Sequence, residues 1–277
     1  MRKQRVSLQI STGLLLAGLL LPSLLPAQNR VDTIPTLNFG IYAGYYLPND
    51  ATASYYSGQD NNRLKNLLSA PRIRDQIENS LGGYPFELRE LANNMSYNNA
   101  FSFELELDYR FPSNWSLTAN FIRATLRAEG NFTLEVQRVN RGQSTVPYIE
   151  RALITGEEAR SHIHLGLAKI FPLQSEFYAL VQGGVDFNFV EVGKNQMIIA
   201  DRNYRLSTNN MAQNNQPREI TTSGMGFFVA GGLGYELDSG YGLRLKTTIL
   251  NSTINVNEVV ERQSTFLQVG LGFTKRW

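Results

Sequence analysis

The segment Phe101 to Phe111, FSFELELDYRF, is apolar at every odd position and polar at every even one. Phe101, Phe103, Leu105, Leu107, Tyr109 and Phe111 share one face, and Ser102, Glu104, Glu106, Asp108 and Arg110 share the other. A period of two residues is that of a β-strand. A strand so divided either covers a soluble core or lies against lipid with its charges turned into a closed barrel.

The same period recurs along the chain. Leu37 to Leu47 sets Leu37, Phe39, Ile41, Ala43, Tyr45 and Leu47 against Asn38, Gly40, Tyr42 and Gly44. Trp115 to Ala128 is the third strand. Its apolar set changes parity between Phe121 and Ala124, which predicts a bulge near Phe121-Ile122 and turns Arg123 and Arg127 to the polar face. Ile163, Leu165, Leu167 and Phe171 mark the fourth strand, and Phe177 to Phe189 is the fifth. Met225, Phe227, Val229, Leu233, Tyr235 and Leu237 mark the sixth, Tyr241, Leu243, Leu245 and Ile249 the seventh, and Thr265 to Trp277 the last.

The connections alternate in length. Long excursions cover 48–99, 129–160 and 192–222, and a moderate one covers 251–264; tight turns fall at Pro112-Ser113-Asn114, Pro172-Leu173-Gln174 and Asp238-Ser239-Gly240. In the first excursion Ser69 and Pro71 read as a cap and first-turn proline. Ile73, Ile77 and Leu81 then share a helical face, and Gly82-Gly83 ends the helix. The second excursion contains Phe132, Leu134 and Val136 and a turn signal at Asn140-Arg141-Gly142, and reads as a hairpin rising out of the layer.

This rhythm predicts an all-β fold: an antiparallel up-and-down transmembrane barrel of about eight strands, with brief periplasmic turns and long extracellular loops, the first carrying a short helix. The strands run to about eleven to thirteen residues, where a soluble strand averages roughly five or six and a tilted crossing needs about nine to eleven. Phe39, Tyr109, Phe111, Trp115, Phe171, Phe177, Tyr235, Tyr241, Phe273 and Trp277 lie near the tight-turn ends with lipid-facing parity. They read as membrane-interface aromatics. Lys169 breaks that face at the same boundary, where its long stem lets the charge reach water. The competing architecture is a soluble sandwich with these rings in its core.

Composition adds the location. Arg2, Lys3 and Arg5, the Leu-rich stretch Leu14 to Leu25 and Pro26-Ala27 have the form of a signal peptide over 1–27, which leaves 28–277 as the barrel domain. Removing the three leader cations turns the formal charge of +2 into −1, so no nucleic-acid partner is expected. The 277 residues include no cysteine, which excludes disulfides and thiolate chemistry. The expected place is the bacterial outer membrane, with its lipid as the first partner.

On these residues the chain resembles the small bacterial outer-membrane barrels of the OmpA, OmpX and OmpW type, from about Leu37 onward. Leu267, Val269, Leu271 and Phe273 alternate up to Trp277, similar to the terminal-aromatic signal by which the barrel insertion machinery takes hold of a last strand, with Trp where Phe is usual. Because the sequence stops at that strand, no peptidoglycan-binding domain is expected after it. The long Asn-rich loops also resemble those of Bacteroidetes PorT-like proteins associated with secretion.

The chemistry expected is that of a filled lumen. Glu104, Glu106, Asp108, Arg110, Arg123, Arg127, Asp186, Glu236, Arg244 and Lys246 are the candidate lumen charges. An eight-stranded interior is just wide enough for side chains to fill, so charges of both signs should pair there and plug it. His162 and His164 share the inner face of one strand, but no third ligand is evident. No catalytic residue, metal or cofactor is therefore expected. Gly224-Met225-Gly226 and Gly231-Gly232-Leu233-Gly234 lack the helix and Lys-Ser/Thr of a phosphate loop and read as strand glycines. The expected function is non-enzymatic: a barrel whose surface loops serve envelope integrity, adhesion or partner contact, with Tyr55, Tyr56 and Tyr148 as contact residues. A narrow channel or carrier for small or apolar solutes, or a secretion subunit, is the alternative.

Overall fold

Strand β1, Thr36–Leu47, pairs on one side with β4, Ala100–Arg110, and on the other with the last strand, β11, Glu261–Arg276. That double pairing closes a ring. Between them, β5 (Trp115–Val136), β6 (Tyr148–Pro172), β7 (Phe177–Ile199), β9 (Ile220–Glu236) and β10 (Tyr241–Asn255) complete an antiparallel eight-stranded barrel in sequence order. Three short strands join its upper wall: β2 (Phe86–Glu90) and β3 (Ser96–Tyr97) pair with β5, and β8 (Arg202–Arg205) pairs with β7. This computed structural model describes residues 34–59, 63–138, 148–173, 176–206, 220–237, 239–256 and 261–277, without the side chains of 220, 261 and 262. The leader 1–27, the turn at Asn140-Arg141-Gly142, Gln174 and Asp238 lie outside the described residues.

The seam closes where the first and last strands meet. Trp277 N donates to Leu37 O at 2.9 Å and Leu37 N to Trp277 O at 3.3 Å, and ten paired positions run from Asn38 opposite Arg276 to Leu47 opposite Leu267. At the short-turn end, Asn114 takes a positive φ of 61° in the turn between β4 and β5, and Gly240 one of 77° between β9 and β10. Gly is at ease there, and Asn is the non-Gly residue that best tolerates it.

Membrane crossing uses only part of the long strands. β5, β6 and β7 have 22, 25 and 23 residues, and at about 3.4 Å per residue β5 alone is roughly 70 Å long. A tilted crossing takes about nine to eleven residues, so the wall continues well above the bilayer. The outward face of β5 records the boundary. It is apolar at Trp115, Leu117, Ala119 and Phe121, then polar at Arg123, Thr125, Arg127 and Glu129. Its inward face does the reverse, polar at Ser116, Thr118 and Asn120 and then apolar at Ile122, Ala124, Leu126, Ala128, Phe132, Leu134 and Val136.

The expected bulge at Phe121-Ile122 is absent. Burial alternates strictly along all of β5, and its register with β6 runs unbroken from Trp115 opposite Lys169 to Val136 opposite Tyr148. What changes parity is the solvent outside, from acyl chains to water, while the backbone stays regular. A register shift does occur higher in the wall, where Gly156 faces Asn195 but Glu158 faces Val192.

The first excursion folds into the mouth of this extended barrel. A 3-10 helix, Asp50–Ser57, is followed by α1, Arg63–Ser69, and α2, Pro71–Ser80. Asn49 caps the first by accepting Ala51 N at 2.7 Å. Ser69 is not the cap of α2: its Oγ donates to Lys65 O at 2.8 Å within α1, and Ala70 holds the N-cap position with Pro71 following. Gly82 and Gly83, with φ of 84° and 81°, end the segment. Leu64, Leu67, Leu68 and Ile77 are buried against the inward apolar residues of the upper wall, including Phe132, Leu134, Val136, Ile154 and Met197. The extracellular half of the barrel therefore has a core like that of a soluble protein, and the membrane half has its apolar surface outside.

Candidate functional site

The lumen is filled in three layers. In the lowest, inward positions of β4 and β10 stand across from one another. Lys246 Nζ pairs with Glu104 and lies 2.6 Å from Glu106 Oε2, while Arg244 pairs with Glu106 and stands 3.8 Å from Asp108. Tyr42 donates to Glu106 Oε1 at 3.0 Å, Arg244 Nε to Tyr178 Oη at 3.1 Å, and Gln268 Nε2 to Glu104 Oε2 at 3.3 Å. All of these groups are buried. A buried charge is tolerated when its partners and hydrogen bonds are supplied together. Glycine makes room for the rings among them: a Cβ at Gly272 would meet Tyr42 Cδ1 at 2.1 Å, and one at Gly234 would meet Tyr178 Cζ at 2.1 Å. Below, Glu236 bridges Arg276 at 2.8 Å and Arg110 at 3.8 Å near the periplasmic mouth.

The middle layer gathers His162 and His164 of β6 with Asp186 of β7. His162 Nδ1 lies 3.0 Å and His164 Nε2 lies 3.3 Å from the same oxygen, Asp186 Oδ1. Tyr46 Oη is 3.2 Å from His162 Nε2, and the His164 ring stacks on Phe228 with centroids 4.2 Å apart and planes within 11°. Phe266 stacks on Tyr46 from β11.

The upper layer fastens the first excursion to the wall. Glu158 and Arg160, two apart on the inner face of β6, pair at 2.6 Å with both side chains fully buried. Tyr56 and Tyr97 donate to Glu158 Oε2 at 2.6 and 2.9 Å, and Arg160 Nη2 donates to Thr52 Oγ1 at 3.0 Å. Arg160 also lies over the rings of Tyr97 and Phe266, at 5.1 and 5.0 Å. Burial, and next to it the Glu158 charge, raise the phenol of Tyr56 well above its ordinary value, and the same two causes raise that of Tyr97.

Of the ten expected lumen charges, Glu104, Glu106, Asp108, Arg110, Asp186, Arg244 and Lys246 are buried within the barrel, and Glu236 is half-buried at its mouth. Arg123 and Arg127 are not in the lumen. Both point outward above the lipid, Arg123 paired with Glu191 at 2.9 Å and Arg127 with Glu129 at 2.7 Å, because β5 keeps its parity. The ten aromatics expected at the interface all point outward near the short-turn end. Lys169 donates to Ser113 O at 2.8 Å over the Trp115 ring, and Lys275 to Ser239 O at 2.8 Å over Tyr241.

Two expected contact residues are misplaced by the sequence pattern. Tyr55 and Tyr56 are 1% and 0% exposed, with Tyr55 set edge-on against Tyr56 inside the barrel mouth. Their place in a polar loop concealed this, since the loop turns back into the lumen. Tyr148 remains exposed. Sequence reasoning also missed Glu158 and Arg160, whose signal is two charges two apart among inward-facing residues, and Asp186 as the neighbour of the histidines, for which it had no register.

A hollow of 570 Å³ is lined by Leu233, Leu243, Leu245 and Leu271 with Tyr178 and Arg244 behind them. Its leucines belong to the lipid-facing set, so it opens toward acyl chains.

No protein-family model and no curated protein sequence matches the chain. Among solved structures it is similar to Neisserial surface protein A, NspA, at 9% identity and a TM-score of 0.43, covering 87% of this chain and 97% of that one. It is similar to Ail, the attachment invasion locus protein of Yersinia pestis, at 10% identity and 0.35, covering 87% and 98%. It is also similar to the outer membrane protein OprG from Pseudomonas aeruginosa, at 12% and 0.38, covering 88% and 95%. Those values carry no function across. The pairing register, the outward apolar belt and the inward charges give this chain the architecture of the small eight-stranded outer-membrane barrels.

Proposed function

We propose that the protein is a non-enzymatic integral protein of the outer membrane, delivered by the leader proposed over 1–27, that holds a packed platform above the bilayer for contact at the cell surface. The observation that carries this reading is the inward turn of the first excursion: Tyr56 and Tyr97 close on Glu158 beneath an apolar core built from Leu64, Leu67, Leu68 and the inner faces of β5, β6 and β7. A conducting pore needs a continuous wet path. Here salt-bridged groups fill the membrane level and apolar side chains fill the level above. The strands that rise above the bilayer present a polar exterior carrying Arg123, Arg127, Glu129 and Glu191, and Tyr148 is exposed higher up, opposite Val136, with the Arg138 guanidinium over its ring at 3.8 Å. That outer wall and the loop tips are the surface available to a partner.

Planar-bilayer recording and liposome flux with the purified protein test this reading. Flat current and no solute leakage are expected; stable conductance steps would replace the platform by a channel.

A further inference from the structure

We propose that His162, His164 and Asp186 bind a divalent first-row transition-metal ion inside the barrel, with zinc the ion best suited to the ligand set. The inference is independent of whether the barrel conducts.

The register makes the site. β6 turns both imidazoles to its inner face, and Asp186 on β7 is the residue paired directly with His164, with His162 two positions higher. One donor atom from each of the three side chains lies within 4.8 Å of the others, and all three residues are buried. Donors held 2.0–2.2 Å from a tetrahedral zinc ion stand about 3.3–3.6 Å apart. The two edges to Asp186 Oδ1, 3.0 and 3.3 Å, are close to that spacing.

Charge gives a second and separate reason. Among the described residues the lumen buries five carboxylates, Glu104, Glu106, Asp108, Glu158 and Asp186, against four cationic side chains, Arg110, Arg160, Arg244 and Lys246. Asp186 is the one whose only ion-pair partners among them are imidazoles. A carboxylate so placed calls for positive charge close by.

Hydrogen bonding supplies the third. Although His164 Nε2 faces Asp186, neither nitrogen of that ring completes a hydrogen bond among the described residues. A buried polar atom without a partner is costly. A proton shared between His162 and Asp186 leaves both nitrogens of His164 in that condition, whereas a metal ion takes one lone pair from each ring and one from the carboxylate, which gives His164 Nε2 a partner and leaves Nδ1 alone without one. The surroundings fit both rings for the task. Tyr46 Oη, 3.2 Å from His162 Nε2, can accept from that nitrogen in the tautomer whose Nδ1 is free to ligate, and stacking on Phe228 holds the plane of His164.

The test uses full-length protein in detergent, folded as judged by heat-modifiable migration, refolded in chelator and dialysed against Zn²⁺. About one zinc per chain is expected by elemental analysis, falling at least tenfold in folded Asp186→Asn and His164→Gln, since loss of a ligand removes most of the affinity. X-ray absorption at the zinc edge of the wild-type protein should show two imidazoles and an oxygen, and it decides the matter even where a variant does not fold. Zinc retained equally by folded Asp186→Asn, zinc with no imidazole in its shell, or wild-type protein that takes up none would each overturn the site.

Discussion

Tyr56 Oη donates to Glu158 Oε2 at 2.6 Å across 102 residues of chain, and this bond fastens the first excursion to the inner wall of β6. The same oxygen accepts from Tyr97, and Glu158 also holds Arg160. Glu158→Ala leaves the Arg160 guanidinium buried without its carboxylate, a change that costs about 3–5 kcal/mol. The expected outcome is a lower urea midpoint for the heat-modifiable band together with rapid protease cleavage within 48–99. Tyr56→Phe, which removes one hydrogen bond to a charged group, should cost about 1.5–3 kcal/mol.

Gly156 lies beneath the Tyr56 ring so closely that a Cβ there would sit 1.9 Å from Tyr56 Cδ1, inside contact distance. Gly156→Ala should push the ring out and expose the excursion to protease. Adding Tyr56→Ala should restore protection in part, with a coupling of about 0.5–3 kcal/mol in the double-mutant cycle. Additive losses would show that the two residues do not meet.

The two phenols also predict a pH response. Burial, then the charge of Glu158, raise the values of Tyr56 and Tyr97 in the folded protein above the ordinary 10.0. The folded state thus holds these protons more tightly than the unfolded chain, so their contribution is complete below the unfolded value and is lost as pH rises through about 10 toward the folded values. Cleavage within the first excursion should accelerate above about pH 10. In Tyr56→Phe/Tyr97→Phe the acceleration should flatten, and an unchanged pH profile in that variant would assign it elsewhere.

The boundary read from β5 is testable by charge placement. Leu165 points outward within the apolar belt, and Arg127 points outward above it. Leu165→Arg should cost about 2–4 kcal/mol, the depth-dependent cost of a cation facing lipid. Arg127→Leu should stay within about 0.5 kcal/mol, as for an exposed site away from packing. Unfolding of both variants from phospholipid bilayers measures the difference; equal costs would move the boundary.

Strand existence and parity were legible wherever one face met lipid, as along Phe101 to Phe111, because the period of two is uninterrupted there. The error at Phe121-Ile122 came from a rule that holds only within one solvent. Above that height the apolar positions exchange sides without any change of backbone, so the hydrophobic pattern alone puts Arg123 and Arg127 on the wrong face. The α1 helix was readable in principle, since Leu64, Leu67 and Leu68 fall at helical spacing. The histidine and carboxylate cluster was not, because nothing local to Ser161-His162-Ile163-His164 states which residue of the neighbouring strand stands opposite.

The exchange of sides along β5 also bears on how the chain reaches its destination. Before insertion, in the aqueous periplasm, both greasy stripes of that ribbon are wet, one on each side and at different heights. Closing the mouth hides only the upper stripe from water, and only the bilayer covers the lower one, so the two are buried by different events.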